Sequence, residues 1–253
     1  KDLGFHKPIM LAGGIGSIKE VQIKKGVPKA GDVVIVLGGP AMLIGLGGGS
    51  ASSTKKTNDN ADLDFASVQR SNPEMQRRAQ QVLDKFNERS SKNPITFIHD
   101  VGAGGISNAI PELAKDTNLG VEINLENIDS ADQTMSPMEL WCNESQERYV
   151  FTIPTKKLRA LEDICRKERC PFSIAGYLTE DKIVKIKFYE DEIVNLHLDD
   201  LFGEIPLPDL IAQNYDRSTA REDLPSSDLQ SLIFNVLNYP AVGSKKFLIT
   251  IGD

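Results

Sequence analysis

Cysteine is scarce in this chain: Cys142, Cys165 and Cys170 are the only 3 in 253 residues. An odd number without paired metal-ligand spacing argues against a disulfide framework and against a structural zinc site, and leaves buried or idle thiols as the expectation. Also missing is any cluster of lysine and arginine interleaved with aromatics. With 36 acidic against 29 basic residues, no nucleic acid is expected as a partner. Long hydrophobic runs are absent too. The longest, Val33 to Leu46, is interrupted by Gly38, Gly39, Pro40 and Gly45 and falls short of the roughly 18 to 20 residues of a membrane helix, so no membrane span is expected. The opening Lys1-Asp-Leu-Gly-Phe-His-Lys-Pro8 has no secretory apolar core, and Lys1 in place of methionine suggests a piece of a longer, cytoplasmic chain. No Gly-Lys-Ser/Thr occurs, and the glycine spacings starting at Gly45 and Gly102 meet Ser50 and Ser107 where a dinucleotide fingerprint needs glycine.

What is present is an apolar fraction of 40%, enough for a sizeable core. The run Asp32-Val-Val-Ile-Val-Leu-Gly38 suits a strand buried on both faces. Residues 54–64 are polar enough for a surface loop. Next, Asn72 can cap a helix with Pro73 in its first turn and Met75, Ala79, Val82, Leu83 and Phe86 on one face. Ile95–Ile98 reads as a strand ending at His99-Asp100. A helix bearing Ile106, Ala109, Ile110 and Leu113 follows, with Pro111 expected to bend it or delay its start. Strands are expected at 121–125, 149–154, 172–178, 183–188 and 192–198, and a helix at 155–169. Residues 207–227, rich in Pro, Asp, Arg and Ser, read as a linker between a domain at 1–206 and a truncated one at 228–253. The latter carries a helix at 229–237 and a strand at 246–251. Trp141 and Met138 are expected in the core rather than as ligand platforms.

Three places could carry chemistry. The loop of Gly45, Gly47, Gly48, Gly49 and Ser50 could cradle a phosphate through backbone N–H groups, or be an ordinary run of tight turns. Asp100, between a strand end and the glycines Gly102, Gly104 and Gly105, could hold a metal ion, or simply be a turn residue. His99, on the opposite side of the strand, reads as structural. Glu144, Ser145 and Gln146, just before an apolar strand, offer acceptors, a hydroxyl and an amide to a ligand. The alternative is a helix C-terminus with solvated polar groups. Gln69 is equally ambiguous by pattern.

Taken together, Gly-Gly-Pro-Ala-Met (38–42), Gly-Leu-Gly-Gly-Gly-Ser-Ala-Ser-Ser (45–53), Asp-Leu-Asp-Phe-Ala-Ser-Val-Gln-Arg (62–70), His-Asp-Val-Gly-Ala-Gly-Gly-Ile-Ser-Asn-Ala (99–109) and Trp-Cys-Asn-Glu-Ser-Gln-Glu-Arg (141–148) resemble the large, single-chain phosphoribosylformylglycinamidine synthases. The resemblance covers nearly the whole chain. It implies an α+β fold, a mixed sheet flanked by helices, similar to the C-terminal domain of aminoimidazole ribonucleotide synthetase, followed by the start of a second repeat. It also implies a part in purine biosynthesis, with ATP and Mg2+ used to convert formylglycinamide ribonucleotide to its amidine with nitrogen from glutamine. Carried over by position, Asp100 matches the magnesium ligand, and Gln69, Glu144, Ser145 and Gln146 match substrate-binding residues. The catalytic histidine, the ATP-binding elements and the glutaminase residues of that family would lie on parts of a parent chain not present here. This segment alone would then be inactive. Two rival readings are a non-catalytic scaffold repeat and a free-standing nucleotide-binding module.

Overall fold

A computed structural model describes residues 14–46, 72–88, 93–203 and 228–244. The chain divides into two compact units, Lys1–Glu204 and Ile205–Asp253. The expected surface loop at 54–64, the linker at 207–227 and the strand at 246–251 lie outside the described residues.

The first unit is built on one seven-stranded sheet: β1 (Val33–Gly38), β2 (Phe97–Asp100), β3 (Gly120–Asn124), β4 (Arg148–Ile153), β5 (Phe172–Thr179), β6 (Ile183–Phe188) and β7 (Asp191–His197). The strand order is β2-β4-β1-β5-β3-β6-β7. Every neighbouring pair is antiparallel except β3 and β6, which run parallel. The helices are α1 (Pro73–Asn87), α2 (Ile106–Thr117), α3 (Pro137–Cys142), α4 (Leu158–Glu168) and α5 (Leu198–Phe202). The α+β class expected from the sequence is the one found.

β1 shows why the sheet takes helices on both faces. All six of its residues are buried, and alternation sends Val34 and Val36 to one side and Val33, Ile35 and Leu37 to the other. On the first side they join Ile106, Ala109, Ile110 and Leu113 of α2. On the second they meet Ala79, Val82, Leu83 and Phe86 of α1, together with Leu161, Ile164 and Cys165 of α4. Burying each such large side chain stabilises the fold by about 1.5–3 kcal/mol.

α1 begins where its sequence says. The Asn72 side chain accepts from the Met75 N–H at 3.1 Å, with Pro73 in the first turn. Cys165 and Cys170 are buried free thiols, and loss of hydration pushes them up to about 12 and about 11, so both stay protonated at neutral pH.

Several boundaries differ from expectation. β2 runs Phe97–Asp100, ending at Asp100 as expected but starting two residues after Ile95, because its ladder with β4 pairs Phe97 with Thr152 and Asp100 with Tyr149. Pro111 neither delays nor ends α2: the helix opens at Ile106 and carries the proline inside it, with the ring buried. β7 stops at His197, and Leu198 starts α5 instead of closing the strand. Met138 is 70% exposed and so is not a core residue, whereas Trp141 packs against the core as expected.

The second unit contributes α6 (Leu229–Asn238), capped by Asp228, whose carboxylate accepts from the Ser231 N–H at 3.3 Å.

Candidate functional site

Antiparallel pairing brings three loops to the same end of neighbouring strands. Gly38, at the end of β1, lies opposite Arg148, the first residue of β4, and Asp100, at the end of β2, lies opposite Tyr149. The segments that follow β1 and β2 therefore emerge beside the segment that leads into β4.

That leading segment starts on α3. A capping box opens this short helix: the Ser136 hydroxyl accepts from the Glu139 N–H, and the Glu139 carboxylate accepts from the Ser136 N–H at 2.7 Å. At its other end Asn143 turns extended, and its Nδ2 donates to the carbonyls of Glu139 and Leu140, both at 2.8 Å. The residues after this helix end are not solvated. Asn143, Glu144 and Ser145 are 0%, 7% and 2% exposed.

Each is held by a neighbouring loop. The Glu144 N–H donates to the Ile44 carbonyl at 2.8 Å, and its Oε1 accepts from the Gly104 N–H at 2.8 Å, so one residue ties the loop after β1 to the loop after β2. Gly45 has φ +66°, and a Cβ there would lie 2.4 Å from the Cβ of Glu144. Only glycine allows that approach. The Ser145 hydroxyl accepts from the Met42 N–H at 2.9 Å and donates to Asn143 Oδ1 at 2.7 Å. Gln146 is half-buried, and its amide donates to the Glu144 carbonyl at 3.0 Å.

The structure thus brings Gly45, Glu144, Ser145 and Gln146 together, with the end of β2 adjoining them. Gln69, Gly47, Gly48, Gly49 and Ser50 lie outside the described residues. The Asp100 side chain is 81% exposed. His99, beside it, faces Glu112 of α2, with Nε2 2.7 Å from Oε2, and its Nδ1 is 2.6 Å from the Asp100 carbonyl oxygen. Among the described residues no group of three or more His, Cys, Asp or Glu comes together. Asp100 is therefore a single hard oxygen donor, the kind Mg2+ accepts when phosphate oxygens and water complete its shell.

Two residues that sequence reasoning passed over hold the turn together. Asn143 ends α3, and Arg148 is the largest fully buried side chain among the described residues. The Arg148 Nε donates to the Ser145 carbonyl at 3.2 Å, and Nη2 donates to Asn143 Oδ1 at 2.7 Å and to the Asn143 carbonyl at 3.2 Å. Burial pulls this guanidinium down to about 10, which leaves it charged at neutral pH. The Ser-Pro-Met-Glu box at 136–139 was a readable helix start; nothing local marks Arg148 as buried.

Comparison with known proteins decides the family. Residues 29–188 match the model of the AIR synthase related protein, C-terminal domain. The chain belongs to that family. Phosphoribosylformylglycinamidine synthase of Saccharomyces cerevisiae is 48% identical to it over 99% of its length, and this chain spans only 19% of the yeast protein. Among solved structures, Thermotoga maritima PurL complexed with FGAR superposes with a TM-score of 0.65 at 22% identity, covering 78% of this chain and 32% of that one. PurL complexed with ATP gives 0.61 at 19% identity, covering 78% and 30%. At these identities the AIR synthase-related C-terminal domain shares a fold with PurL. Among the described residues no helix is long and apolar enough to cross a membrane.

Proposed function

We propose that this chain is one wall of the synthetase site of a phosphoribosylformylglycinamidine synthase, a cytoplasmic enzyme of purine biosynthesis. The observation that carries the reading is the convergence of the 42–45, 101–105 and 143–147 segments on Glu144, in a chain 48% identical to the yeast enzyme.

In the reaction so assigned, the γ-phosphoryl group of ATP moves to the amide oxygen of formylglycinamide ribonucleotide. Ammonia released from glutamine then adds to that carbon, and phosphate departs with the oxygen. The products are the amidine, ADP, phosphate and glutamate. The amide oxygen is a poor leaving group until it is phosphorylated, which is why ATP is consumed. Asp100 would supply one carboxylate oxygen to Mg2+, and the ion when bound would offset charge on the phosphoryl group.

Gln69, Glu144, Ser145 and Gln146 would hold the ribonucleotide. A hydroxyl has one donor and two acceptor lone pairs. Ser145 already uses the donor on Asn143 and one lone pair on the Met42 N–H, which leaves one lone pair for the ligand while it ties the turn to the loop after β1. The loop of Gly45, Gly47, Gly48, Gly49 and Ser50 is proposed to approach phosphate through its backbone. The remaining parts of the parent chain, including its glutaminase domain, would complete the site.

The test is Asp100→Asn in the full-length parent enzyme. The amide keeps the shape of the carboxylate and loses its charge, and kcat for amidine formation is expected to fall at least 100-fold. An unchanged rate would show instead that this repeat is a scaffold.

A further inference from the structure

Among the described residues, the only buried side-chain nitrogen or oxygen without a hydrogen-bond partner is Nη1 of Arg148. Arg148 is 2% exposed, burial lowers its pKa, and among the described residues no carboxylate pairs with it. Withdrawing a cation from water with no carboxylate beside it is costly. An apolar side chain at the start of β4 would avoid that cost, so the cation needs a role that an apolar residue cannot fill.

Its contacts indicate the role. Among the described residues, every hydrogen bond that Arg148 donates from its side chain goes to the turn before β4: the Ser145 carbonyl, the Asn143 carbonyl and Asn143 Oδ1. Two backbone carbonyls on either side of Glu144 are drawn to one rigid fork. That sets the peptide plane between Asn143 and Glu144 and the one between Ser145 and Gln146. With those planes set, the Glu144 N–H reaches the Ile44 carbonyl, its carboxylate reaches the Gly104 N–H, and Gln146 folds onto the Glu144 carbonyl. Asn143 Oδ1 is shared between Arg148 and the Ser145 hydroxyl, so the same anchor also holds Ser145.

We propose that Arg148 is a positioning residue: from beneath the turn, it holds Glu144, Ser145 and Gln146 in the geometry that binds the ribonucleotide substrate. The inference rests on the function proposed above. Arginine is specific here because its planar fork reaches separate oxygens from two nitrogens at once. A lysine ammonium is a point charge and cannot span them.

The experiment uses the full-length parent enzyme with Arg148→Lys, and measures KM separately for formylglycinamide ribonucleotide and for ATP. KM for the ribonucleotide is expected to rise at least tenfold, with KM for ATP within twofold of wild type. A purely structural role would lower the active fraction and move neither KM, so a folded Arg148→Lys enzyme with both values unchanged overturns the proposal. If Arg148→Lys does not fold, Asn143→Ala, which removes the shared amide oxygen, carries the same prediction, and unchanged KM values there overturn it too. Glu144→Gln is measured alongside. A raised ribonucleotide KM in Glu144→Gln without one in Arg148→Lys would reject only the role of Arg148. Unchanged KM values in both would reject the site itself.

Discussion

At the scale of single residues, the tightest constraint on the candidate site is Gly105. Its φ of +64° with ψ of −147° lies in a region essentially closed to other residues, and a Cβ there would sit 1.9 Å from the Asn143 carbonyl oxygen. Gly105→Ala should therefore lower stability by about 3 kcal/mol or more, read as a drop in the urea midpoint. A loss below about 1 kcal/mol would mean that the two loops do not meet there. The glycines at 102–105 and the carboxylate of Glu144 were noticed in the sequence as separate signals. That Gly104 donates to Glu144 and that Gly105 packs on Asn143 could not be read, because these contacts span some forty positions. Arg148 was invisible for a related reason. An arginine in a polar stretch is ordinarily solvated, and only the tertiary fold reveals that this one is enclosed.

At the scale of elements, legibility followed local chemistry. α1 announced itself through an Asn-Pro start and a clean apolar face, and both were found in place. The burial of that face predicts unequal costs. Phe86→Ala, at a position 0% exposed, should cost about 3–5 kcal/mol. Asn72→Ala, which removes one capping bond, should cost about 1 kcal/mol. Denaturant titration of the two variants checks the order, and similar losses would contradict the packing described. Elements whose limits depend on partners were read less well. β2 starts two residues later than expected because β4, already paired with β1, fixes where its pairing begins. α2 retains Pro111 because packing of its apolar face outweighs one lost backbone hydrogen bond.

At the scale of the whole molecule, the strand order could not be inferred from periodicity, since nothing local states that β4 lies between β2 and β1. Yet that order is what gathers the candidate residues. Family resemblance supplied what pattern could not: Glu144, Ser145 and Gln146 stood out only as polar groups before a strand until the neighbouring motifs were considered together. Because the chain spans 19% of its yeast relative, the isolated segment should form no amidine from formylglycinamide ribonucleotide, ATP and ammonia, assayed by product chromatography. Turnover by the segment alone would refute the shared-site reading. Finally, β2 has four residues and bonds to a single neighbour at the margin of the sheet, whereas the turn bearing Glu144 is pinned from three directions. The two places consequently differ in compliance: the strand end that carries Asp100 yields at lower cost than the turn that carries Glu144.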